Sequence, residues 1–130
     1  MDFIISWSLY LQTSTKKKLL EEHWQQIVEW LGTETTLGEI EKRVEDKGPF
    51  HVFAETPLRA DSEAEAMIRC LELALSFSSP WYVAGWERDI HKRLIGFVGG
   101  WEGPPSPGKR VPIVSAGFTM FEAGDGKHYS

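Results

Sequence analysis

Two tripeptides repeat in this chain, Gly85-Trp86-Glu87 and Gly100-Trp101-Glu102, and Trp81, Tyr82 and Phe97 lie beside them. Tryptophan and tyrosine offer large contact area with few rotatable bonds, so they suit binding surfaces. Carboxylates next to them select a cationic or hydroxyl-rich partner. Trp86, Glu87, Trp101, Glu102 and Tyr82 are therefore the candidate partner-binding residues. The competing demand is packing: one aromatic face of such a segment must lie in the core.

His51 and Glu55 form a second group. Side chains two apart on a strand share a face, so both project to one side with Phe53 between them. An imidazole and a carboxylate gathered by a cleft can do acid–base work or hold a polar ligand. A third group is Ser14, Thr15, Lys16, Lys17 and Lys18, at the start of a predicted helix. The positive end of the helix dipole disfavours lysines there, and free N–H groups with hydroxyls and ammonium groups could meet an anion. A fourth is acidic: Glu34, Glu39, Glu41, Glu45 and Asp46, then Asp61, Glu63 and Glu65, a surface complementary to a basic protein.

Other chemistries find no support. His23, His51, His91 and His128 are scattered, with no metal-ligand spacing. No Gly-rich loop precedes the lysine turn, so no P-loop is present. No serine sits in a Gly-x-Ser-x-Gly elbow. Cys70 is the single cysteine and lies among apolar neighbours, which predicts a buried, inert thiol. No catalytic residues, cofactor or metal are assigned.

The chain that must position these groups has 130 residues, 42% hydrophobic and 25% charged, the proportions of one globular domain over 1–130. A net charge of −5 argues against nucleic acid. No apolar run approaches the roughly 20 residues of a membrane span, and no signal-peptide pattern opens the chain. The expectation is a cytoplasmic protein.

Residues 2–12 alternate as a strand. From 15 to 31 the period becomes helical, with Leu20, Trp24, Ile27, Val28 and Leu31 on one face. A weaker helix is predicted over 36–46 from capping-box spacing and Leu37, Ile40 and Val44. Phe50–Glu55 reads as a strand closed by Thr56-Pro57. A helix capped by Asp61 or Ser62 carries Met67, Ile68, Leu71, Ala74 and Leu75 on one face and ends at Ser79-Pro80. Trp81–Arg88 and Arg93–Trp101 form a hairpin, residues 103–110 a stiff proline-rich loop, Val111–Glu122 a last strand, and 123–130 a frayed tail. The order β-α-(α)-β-α-β-β-β predicts an α+β two-layer sandwich. Its mostly antiparallel sheet has about five strands, with two main helices on one face.

The leading functional expectation is a non-enzymatic protein-binding domain acting through an acidic, aromatic surface. A small intracellular inhibitor, such as a toxin-immunity protein, has this profile, and its partner is a protein, basic in character. A small-ligand domain or small enzyme with a pocket between sheet and helices is the alternative. An assembly subunit forming a homo-oligomer is the third reading.

Overall fold

The structure, a computed structural model, describes residues 1–12, 15–42, 50–76, 81–102 and 113–123. Six strands form one antiparallel sheet in the order β2-β3-β1-β6-β5-β4. They are β1 (Asp2–Leu11), β2 (Thr36–Lys42), β3 (Phe50–Arg59), β4 (Tyr82–Arg88), β5 (Leu94–Glu102) and β6 (Ile113–Glu122). A first helix joins β1 to β2 and a second (Glu63–Leu75) joins β3 to β4. The α+β class is as the sequence predicts, with one strand more than the five expected.

The extra strand is β2, where the sequence predicts a helix. Leu37 faces Ala54 and Ile40 faces Val52, with a bulge between them at Gly38 and Glu39. The bulge brings residues three apart to the same face, the spacing that a helix also gives. Gly38 suits this close approach: a Cβ would lie a tight 3.1 Å from the Phe53 carbonyl oxygen. β3 also runs beyond its predicted stop, through Pro57 to Arg59. Pro57 lies past the last β2 pairing, at Thr36 and Glu55, where β3 has a neighbour on one side only. Proline is tolerated at such an edge.

Strict alternation sorts the side chains of the central strands. Phe3, Ile5, Trp7, Leu9 and Leu11 of β1 and Phe50, Val52, Ala54 and Leu58 of β3 are buried on the inner face. They form one cluster with Leu19, Ile27 and Leu31 of the first helix and Ala66, Cys70 and Ala74 of the second. The one buried polar network on this face among the described residues is satisfied: Trp7 Nε1 donates to Thr56 Oγ1 at 2.9 Å, and the Thr56 and Thr35 hydroxyls lie 2.8 Å apart.

The first helix is built from Lys16–Lys18, a π-helical turn over Leu19–His23, and Trp24–Leu31. In that turn the Trp24 N–H donates to the Leu19 carbonyl, five residues back. The wider turn rotates the face by one residue. Leu19 is therefore buried and Leu20 exposed, the reverse of the α-helical expectation. The second helix starts as predicted, with Ser62 Oγ accepting from the Glu65 N–H at 3.1 Å. Among the described residues, no helix is long and apolar enough to cross a membrane. Ser14, the 103–110 loop and positions 124–130 of the tail lie outside the described residues.

Candidate outer-face site

The outer face of the sheet is read from the register. One row across it runs Glu41, His51, Tyr10, Ser115 and the backbone position of Glu102. The next runs Phe53, Ser8, Gly117, Gly100 and Tyr82. A third runs Thr36, Glu55, Ser6, Thr119, Val98 and Gly85. These side chains alternate with the core residues, so polar and aromatic groups collect here because the apolar ones face inward.

The order within this face is specific. The Tyr10 and His51 rings stack with centroids 4.1 Å apart, and Phe53 packs on the other flank of His51, also at 4.1 Å. The imidazole is thereby fixed, and its Nε2 shares a 2.5 Å hydrogen bond with Ser8 Oγ. Beyond Ser8 the row continues through two glycines, Gly117 and Gly100, and is bare at Gly117. A Cβ on Gly117 would meet only the Gly99 carbonyl oxygen, at 3.5 Å. A Cβ on Gly100 would come within 2.6 Å of the Tyr82 hydroxyl, so the tip of Tyr82 rests against that glycine. The result is a groove of about 590 Å³ with Ser8, Tyr10, Ser115 and Tyr82 around a glycine floor.

The candidate residues are distributed unevenly. Tyr82, 62% exposed, and Glu87, opposite Gly96, are on the outer face. His51 and Glu55 are there too, as the two-residue spacing predicts. The expected pocket for them between sheet and helices is thus corrected: both point away from the helix-bearing side, because the inward positions of β3 are taken by Val52, Ala54 and Thr56. Trp86 and Trp101 are on the inner face, opposite Phe97 and Ala116. Trp101 is buried at 4% exposure, which corrects its place among surface residues, whereas Trp86 is 61% exposed. For Glu102 only the backbone register is described.

Lys16, Lys17 and Lys18 are all exposed. Thr15 caps the helix by accepting from the Lys18 N–H at 3.0 Å, and Lys18 Nζ reaches Glu22 at 4.0 Å. Thr15 therefore serves the helix itself. Cys70 is fully buried and burial pushes its thiol up to about 12, so no thiolate forms near neutral pH. The sequence reading missed Ser8, Tyr10, Ser115 and the glycine floor. Their only signal is outer-position parity on β1 and β6, which means little until the register joins the strands.

Charge is also uneven. Glu39, Glu41, Glu55 and Glu87 are exposed on β2, β3 and β4. Arg59 is tied to Asp2 through a 3.0 Å ion pair, which cancels the cation at that corner. Arg88 is drawn to the other side, where it pairs with Glu63 of the second helix. The hydrogen bond to Glu63 holds the Arg88 guanidinium above its ordinary pKa. The chain matches no family model, no curated protein and no solved structure, so the reading of this face rests on its own geometry.

Proposed function

We propose that the chain is a non-enzymatic protein-binding domain, and that the outer face of its sheet is the acidic, aromatic surface it uses. We take the fold as two layers, with both helices over the inner face and the outer face left open to a partner. One observation carries the reading. Glu41, Glu55 and Glu87 share the outer face with Tyr10, Phe53 and Tyr82, and Glu39 lies beside Phe53 and Glu55, while Arg59 and Arg88 are engaged by Asp2 and Glu63.

A face of this sign favours a basic protein and speeds its docking. Aromatic rings then supply contact energy at the centre, with the carboxylates as a rim. Ile90, exposed in the turn between β4 and β5, extends the surface. A small inhibitor of the toxin-immunity kind needs such a rigid complementary face and no chemistry of its own.

The test is capture of partners from the source cell's extract on the immobilised chain. A Glu55→Lys/Glu87→Lys variant, shown to be folded, is run beside it. The expected result is one basic protein at fixed stoichiometry, bound at least about tenfold less by the variant and released by salt. An acidic partner, or one held equally by the variant, overturns the reading.

A further inference from the structure

We propose that the glycine-floored groove of the outer face receives an arginine side chain of that basic partner. The inference rests on the partner-binding reading and names the group that would anchor it.

Among the described residues, the lining of the groove offers hydroxyl acceptors and tyrosine rings and carries no charged side chain. Ser8, Ser115, Tyr10 and Tyr82 line the groove around the bare backbone of Gly117, with the tip of Tyr82 lying over Gly100. Its volume of about 590 Å³ falls within the roughly 300–1,000 Å³ usual for small-molecule sites. Tyrosine rings attract a cation placed over them. The carboxylates on neighbouring strands, Glu41 and Glu55 among them, set a negative field over the groove. An anion is repelled by that field. A neutral side chain gains nothing from it.

Among cations, arginine fits better than lysine. Its planar guanidinium can lie against a ring while its fixed fork of N–H donors meets several hydroxyl oxygens. It is also less strongly hydrated than an ammonium group, so moving it into a shallow groove costs less. Gly117 matters because a side chain there would fill the space where the guanidinium lies, whereas the tip of Tyr82 already covers Gly100. Gly117 is the better probe. A Cβ there meets only the ordinary 3.5 Å contact with the Gly99 carbonyl, so a larger residue blocks the groove without forcing the sheet apart.

The experiment titrates Nα-acetyl-arginine amide into the whole chain and follows backbone amide shifts by NMR. Nα-acetyl-citrulline amide, with the same shape and no charge, is the matched probe. Saturable shifts at Gly100, Ser115 and Gly117 are expected, with millimolar affinity for so small a probe and roughly fivefold or more weaker binding of citrulline. Gly117→Val should abolish the shifts, and Tyr82→Ala should do the same if the valine variant does not fold. Absence of shifts in the groove, or equal binding of citrulline, overturns the inference. So does a Gly117→Val variant that captures the basic partner at full strength. That outcome would leave the outer-face reading standing, whereas capture insensitive to the Glu55→Lys/Glu87→Lys change would overturn the reading itself.

Discussion

Trp86 and Trp101 begin as the same local sequence, each between a glycine and a glutamate. They lie on adjacent strands and point to the same side of the sheet. Yet Trp101 is 4% exposed and Trp86 61%. The difference comes from neighbours. β5 is flanked by β4 and β6, and Trp101 packs in the core cluster with Ala116 opposite. β4 has β5 on one side and no strand on the other among the described residues, and its seven residues are all exposed or half-exposed. Local sequence set the face on which each ring projects. Strand order set whether that face is covered.

The largest way to sharpen this comparison is Trp101→Ala. It should cost about 3–5 kcal/mol by denaturant unfolding, because a large buried ring leaves a cavity. Cys70 gives a second readout. Its folded thiol stays neutral up to about 12, whereas an unfolded thiol ionises near 8.5. The folded state therefore binds the extra proton between those values, and stability should fall as pH rises through that window. Below it, alkylation of Cys70 should require opening of the core, and Trp101→Ala should speed it.

Next in size is Gly99→Ala. A Cβ there would lie 2.4 Å from the Phe118 ring and 2.9 Å from the Tyr82 carbonyl oxygen, so the β4–β5 pairing must shift. A loss of about 1–3 kcal/mol is expected. The Gly100→Ala change should cost less, since its clash is with the tip of exposed Tyr82, which can swing away.

The hairpin turn gives a smaller effect of opposite sign. Lys92 adopts a φ of 62°, a conformation glycine enters freely. Lys92→Gly should raise stability by about 0.5 kcal/mol in the same unfolding measurement. Asp89 holds this turn together by accepting from the Arg93 and His91 N–H groups at 2.9 and 2.8 Å. The Arg93 N–H, then that of His91, keeps its carboxylate below the usual range. Its contribution is present above the ordinary carboxylate pKa and should fade as pH falls through the lowered value. Faster amide exchange at His91 and Arg93 would show it.

The smallest expected change is Trp86→Ala, within about 0.5 kcal/mol of the parent. A loss comparable to that of Trp101→Ala would break the comparison, since it would mean that the edge ring is core after all.

The same contrast explains what could be read in advance. β1, both long helices, the hairpin and β6 carry clean periodicity or turn chemistry, and each was placed within a few residues. β2 was not, because its bulge sets Leu37 and Ile40 at a helical spacing. Leu20 took the place of Leu19 because a π turn leaves no mark in composition. His51 and Glu55 were placed on a common face by parity alone. That Ser8 would bond His51, with Tyr10 stacked on it, depends on how β1 and β3 align, and no local pattern carries that alignment.

The bulges at both margins of the sheet, in β2 at Gly38 and Glu39 and in β4 at Ala84, have one more consequence. A smooth outer strand invites another molecule to continue the ladder, and the invitation repeats without end. Here each margin is bent out of register with any straight newcomer. The chain can thus present a broad β surface at high concentration and still resist growth into fibrils.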